Sequence, residues 1–99
     1  MASAVRIARC SIDGDGVVYE WVRDDRSTGH VVVDEAEETI RPCDAMGNVI
    51  GQMLIRRTVG DVENPEPESR GNFVVVAAAI FREWVKAGSL PEAVSRSFG

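Results

Sequence analysis

Residues 17–34, VVYEWVRDDRSTGHVVVD, place two runs of β-branched and aromatic side chains on either side of one polar turn. Such residues fit a pleated, half-buried surface and lose χ1 freedom in a helix. Val17, Tyr19 and Trp21 fall on one side of a strand over 17–23, and Val18, Glu20 and Val22 on the other. A second strand follows over 30–34, HVVVD. Upstream, residues 5–12, VRIARCSI, also alternate: Val5 and Ile7 share one face, Cys10 and Ile12 the other. The change of phase near Ala8–Arg9 predicts a bulge. Asp13-Gly14-Asp15-Gly16 and the stretch 24–29, DDRSTG, carry the Gly and Asp that turns require. Three strands joined by two short turns predict an antiparallel meander. An acidic turn at 35–38 and a fourth strand at 39–43, TIRPC, extend it. Pro42 cannot donate to a ladder and belongs at a strand end or an edge.

The second half changes character. In 44–59, Met46, Val49, Ile50, Met53 and Leu54 have helical spacing behind Asp44 as a cap. Gly47 and Gly51 oppose that, at about 1 kcal/mol each inside a helix. Gly47-Asn48 as a hairpin turn with a returning strand is the preferred reading, with the helix left open. Residues 60–71, GDVENPEPESRG, predict a mobile acidic loop. Residues 72–89 predict the main helix, capped by Asn72 and stopped by Gly88, with Phe73, Val76, Ala77, Ile80, Phe81 and Trp84 as its apolar stripe. Ser89-x-x-Glu92, with Pro91 between, reads as the capping box of a short terminal helix over 89–98. The sequence thus predicts one α+β domain over 1–99: an antiparallel β-meander of three to five strands, one main C-terminal helix packed on one face, and a short terminal helix. The predicted core comprises Val17, Tyr19, Trp21, Val31 and Val33 of the sheet, with Phe73, Val76, Ile80, Phe81 and Trp84 of the helix.

Bulk composition excludes several classes. The net charge of −5 opposes a surface built for phosphate backbones or anionic membranes. The longest apolar run, Phe73 to Phe81, is too short to span a bilayer, and the first ten residues lack the apolar core of a secretory signal. The sequence predicts a cytoplasmic protein with no membrane contact. Ten Arg against one Lys hints at a GC-rich, bacterial source. Cys10 and Cys43 do not form a disulfide framework, which in small secreted domains takes four or more cysteines, although a single bridge between them stays open.

Placing Gly16 at position 6 of a calcium loop puts Asp13 and Asp15 at positions 3 and 5, but Ser11 at 1 and Val22 at 12, where the bidentate Glu belongs. The flanks alternate at period two, so a tight turn is preferred. His30 stands alone, without nucleophile, orienting acid or metal-ligand spacing around it. Tyr19 and Trp21 read as core rather than as a stacking platform for bases. No catalytic, cofactor or metal site is predicted. The acidic cluster Asp34, Glu35, Glu37 and Glu38 is a candidate surface for a basic partner, and a second group, Asp61, Glu63, Glu66 and Glu68, follows in the loop. Residues 74–79, VVVAAA, are apolar all round, so Val75 and Ala79 on the outer face of the helix are the other candidate contact. The favoured function is a non-enzymatic accessory protein acting through a protein partner or a homodimer. Two alternatives stand beside it: a pocket between sheet and helix using His30 or Cys43, and a nucleic-acid contact through Arg56, Arg57 and Arg70.

Overall fold

A computed structural model describes residues 3–13 and 16–98. The chain runs β1 (Ser3–Asp13), β2 (Gly16–Arg23), β3 (Ser27–Asp34), β4 (Thr39–Cys43), β5 (Leu54–Arg56), β6 (Val62–Glu63), α1 (Arg70–Ala87) and β7 (Ala93–Phe98). All seven strands form one antiparallel sheet in the order β6-β5-β4-β3-β2-β1-β7. The α+β class stands, but a meander of three to five strands and a terminal helix do not. The meander continues to β6, and the chain end returns to the opposite edge.

The first four strands form where alternation places them, except that β3 starts at Ser27, inside the predicted 24–29 turn. In β1 the register slips between Arg9 and Ser11, so Cys10 is the extra residue of a bulge. Pro42 pairs with Val31 near the end of β4, beyond the part of β4 that β5 reaches. Val5, Ile7, Tyr19, Val31, Val33 and Ile40 are buried on the inner face. Helix α1 lays Phe73, Val76, Ala77, Ile80 and Trp84 over them. Fully burying a large aliphatic or aromatic side chain is worth about 1.5–3 kcal/mol, so this layer holds most of the stabilising area. Of the predicted core, only Phe81 is merely half-buried; it stacks on Trp84 at 6.0 Å between ring centroids.

The helix begins at Arg70, two residues before the predicted cap. Asn72 lies inside its first turn and accepts a 2.9 Å hydrogen bond from the Arg23 guanidinium. Gly88 closes it in the left-handed region, φ 78°, donating its N–H to the Trp84 carbonyl at 2.8 Å. The loop 60–71 is shorter than predicted, because Val62 pairs with Ile55 and Arg56 holds Glu63 at 2.8 Å.

The chain end departs furthest from expectation, and the cause is local. A helix over 89–98 would need the carbonyls of Leu90, Pro91 and Glu92 for its own N–H groups. Those three are taken by the sheet instead. The Arg9 guanidinium donates to Leu90 and Pro91 at 3.0 and 3.1 Å, the Tyr19 hydroxyl to Pro91 at 2.5 Å, and the Arg9 N–H to Glu92 at 2.9 Å. With that segment pinned, residues 93–98 fall alongside the open edge of β1, and Val94 is buried opposite Ile7.

Val75 is half-buried and Ala79 is 1% exposed, so neither stands on an outer face of α1. Ala78, Arg82 and Val85 do. An Ala79→Glu variant therefore buries an unpaired charge and should lose at least about 3 kcal/mol of unfolding free energy, whereas Ala78→Glu should stay within about 0.5 kcal/mol of the parent. Urea unfolding of both variants checks this assignment of faces.

Candidate functional site

Between β4 and β5 the chain makes a loop that is tightly tied yet apolar outside. The Asp44 carboxylate accepts hydrogen bonds from the Met46 and Asn48 N–H groups, both at 2.9 Å, and from the Asn48 side-chain amide at 3.2 Å. The Asp44 N–H donates to the Asn48 carbonyl at 3.0 Å, Gly47 to Asp44 at 3.1 Å, and Ile50 to Pro42 at 3.0 Å. Gly47 and Gly51 sit at φ 88° and 74°, where side chains are strained. The backbone bond from Asn48, followed by the other donors, holds the Asp44 carboxyl below its ordinary value. Its folded value is the lower one, so this contribution to loop order is present above about pH 4 and is lost as pH falls through the folded pKa. On this frame Met46, Val49 and Ile50 are 76, 49 and 55% exposed.

Beside the loop runs a groove between the start of α1 and the β2–β3 end of the sheet. Two adjoining cavities form it, and Trp21 and Ser69 line both. The larger, about 460 Å³, is polar, with Arg26, Ser27, Thr28, Ser69, Asn72 and Glu68 around it. The smaller, about 200 Å³, is walled by Val31, Pro42, Ile50, Met53 and Phe73. Gly29 forms part of its wall because the Trp21 ring lies on it: a Cβ there would stand 2.6 Å from the ring. Ile50 belongs to both the exposed loop surface and the cavity wall.

The residues singled out from sequence are dispersed. His30 and Cys43 also line the smaller cavity and face each other in the β3–β4 ladder. However, His30 also stands opposite Glu20, with Nε2 3.6 Å from Oε2, so strand alternation puts these side chains on the face away from α1. Cys43 is buried, and burial, then Asp44, then Cys10 push its thiol up to about 11. Both cysteines are free thiols. Two strands separate β1 from β4, roughly 14 Å at the usual inter-strand spacing, beyond disulfide reach.

The acidic cluster is partly consumed by the fold. Asp34 accepts from the Glu37 N–H at 3.0 Å, and Glu38 meets Arg57 at 3.0 Å. The Arg57 guanidinium in turn lies over the Trp84 ring, 4.8 Å from its centroid. Glu35 and Glu37 remain exposed. Arg56 is paired with Glu63, so with Arg57 also engaged the candidate basic spot reduces to Arg70. Of the suspected calcium loop, Gly14 and Asp15 lie outside the described residues, and its flanks are strands paired to each other. Among the described residues no group of three acidic, His or Cys side chains has metal-binding geometry. Among the described residues no helix is long and apolar enough to cross a membrane.

From sequence, a Gly47-Asn48 turn with a returning strand is preferred over a helix carrying Met46, Val49 and Ile50; the turn forms, but the return is only the bridge of Val49 to Cys43 and the three-residue β5. Asp44 followed by Gly47-Asn48 builds the side-chain-capped turn. Comparison with protein-family models, curated proteins and solved structures finds no match for this chain.

The two thiols should differ sharply. At pH 8 a water-soluble alkylating reagent should label Cys10 and leave Cys43 untouched until urea unfolds the chain. The folded Cys43 pKa lies above the unfolded value of 9.0, so the native state keeps its proton longer. Stability should therefore fall as pH rises between about 9 and 11, and Cys43→Ala should flatten that decline.

Proposed function

We propose that this chain is a non-enzymatic interaction module that binds a protein partner through the 44–50 loop. The observation that carries the reading is the pairing of rigidity with apolar exposure. Asp44 and the backbone bonds around it fix the loop before any partner arrives. Met46, Val49 and Ile50 then stand exposed on it, Ile50 beside the groove and Val49 beside Val32 and Thr39. A preorganised loop loses less ordering entropy on binding, and large apolar side chains held in water on it gain from being covered.

Two further features support an accessory rather than a catalytic role. The buried thiol is driven away from the thiolate that nucleophilic chemistry requires. The histidine shares a face with Glu20, not with a nucleophile held at hydrogen-bond distance. Glu35 and Glu37 offer an acidic margin at the β3–β4 turn, which favours a partner with basic residues at its rim.

The test is affinity capture from a lysate with the parent chain and two double variants. Met46→Ser with Ile50→Ser should abolish recovery of a stoichiometric partner, while Val85→Ser with Val59→Ser, equally exposed apolar positions elsewhere, should retain it. Equal recovery by both variants contradicts the loop as the contact. A doubled particle mass for the parent chain alone, lost in the loop variant, would make the partner a second copy.

A further inference from the structure

The groove beside the loop has a chemistry of its own. Trp21 is 9% exposed, yet its indole N–H meets no acceptor among the described residues. That nitrogen lies over Gly29, 2.9 Å from where a Cβ would stand, at the joint between the two cavities. The N–H keeps contact with solvent there, since Arg9 Nε is the one buried side-chain donor without a partner among the described residues, so a ligand acceptor at this joint would take the place of water. The surroundings are rich in donors. The Arg26 guanidinium has no ion-pair partner among the described residues, and Ser27, Thr28 and Ser69 bring hydroxyls. Asn72 spends its carbonyl oxygen on Arg23, which leaves its NH2 as a donor. The start of α1 adds to this: Ser69 makes no side-chain cap, the first turn holds no acid, and its first residue is Arg70. The Ser69 and Arg70 N–H groups are taken by the Glu66 carbonyl at 3.0 and 2.8 Å, which leaves those of Gly71 and Asn72 at the positive end of the helix. Against these donors stands one carboxylate, Glu68, exposed at the rim.

The other end of the groove has opposite needs. Its apolar cavity, about 200 Å³, suits one large hydrocarbon side chain. Along one wall, β3 is paired by β4 only from His30 onward, so Ser27, Thr28 and Gly29 have a strand neighbour on the β2 side alone. An extended backbone can lie against such an edge. The ligand these features fit together has an anionic oxygen pair, an apolar group next to it, and an extended chain leading away.

We propose that the groove captures the C-terminal carboxylate of a partner polypeptide whose last side chain is large and apolar. The carboxylate accepts from the Trp21 indole, Arg26 and the Gly71 and Asn72 N–H groups of α1. The side chain fills the cavity between Phe73, Met53 and Ile50, and the preceding residues follow the edge of β3. This inference rests on the interaction-module reading and adds to it the part of the partner that is recognised.

The experiment follows the Trp21 indole N–H resonance, assigned with a Trp21→Phe variant, in the full chain. The probes are N-acetyl-glycyl-leucine and N-acetyl-glycyl-phenylalanine, each as free acid and as amide, and octanoate. The free acids should shift that resonance to saturation, and the amides should bind at least about tenfold more weakly, since a charge-assisted set of bonds is lost. Arg26→Gln should weaken the acids by a similar factor, and Glu68→Gln, which removes the opposing charge, should tighten them. Val85→Ser, near the far end of α1 and outside both cavities, should leave them unchanged. Equal binding of acid and amide, or no shift at millimolar probe, overturns the proposal. Octanoate binding more tightly than either dipeptide overturns the polypeptide source in favour of a free amphiphilic acid. Should the probes fail while the loop variant still loses its partner, the interaction reading stands and this inference alone falls.

Discussion

One helix has to bury the whole inner face of a seven-stranded sheet, and most of the architecture answers to that constraint. The chain leaves the sheet at one edge, β6, and re-enters at the other, β7, with α1 as the only regular element between. Its 18 residues give a rod of about 27 Å that runs from Arg23 at the β2–β3 turn to Arg57 and Glu38 by the β3–β4 turn, about the length of an eight-residue strand such as β3. A helix with that task needs apolar residues on more than one stripe. Val74 and Val75 pack against the core from its flanks, while Ala77 and Ala79 are small enough to let the backbone approach the strands. What reads in sequence as surplus apolar surface is used inside the fold.

The remaining openings are closed from the sides. At the β7 end, Arg9 and Tyr19 fasten the carbonyls of residues 90–92. At the β6 end, Glu38, Arg57 and Trp84 link the β3–β4 turn to the helix. At the start of the helix no such closure exists. Met53 plugs the inner layer there, Ile50 stands half outside it, and the groove opens between them. The candidate site is thus the place where one helix does not reach far enough, and the tied loop holds that opening in a fixed shape.

Much of the sheet was legible because each of its strands carries its own signal. Alternation at Val17, Tyr19 and Trp21, the phase slip beside Arg9, and Pro42 at the end of β4 all act within a few residues. The terminal strand was not legible, since Ser89-x-x-Glu92 is a sound local helix start and is overruled by Arg9 and Tyr19, some seventy to eighty residues away in sequence. The 44–59 segment defeated periodicity for a different reason: two glycines at positive φ break both helix and strand, leaving the three-residue β5. For the site, sequence marked Trp21 and Phe73 as core and Glu68 as part of an acidic loop, but the meeting of Arg26 with Asn72 across the groove depends on the crossover of α1. His30 and Cys43 drew attention as chemically capable residues, yet pairing and burial give them quieter roles.

The account stands or falls on where a partner lies. Amide hydrogen exchange of the chain, alone and with its captured partner, measures that directly. The free chain should already protect the Met46 and Asn48 amides, and the partner should add protection over 44–53, along 27–29 and at the first turn of α1. Fast exchange at Met46 and Asn48 in the free chain, or a footprint confined to Glu35–Glu37 or to the Arg82–Val85 face with the loop unchanged, would contradict it.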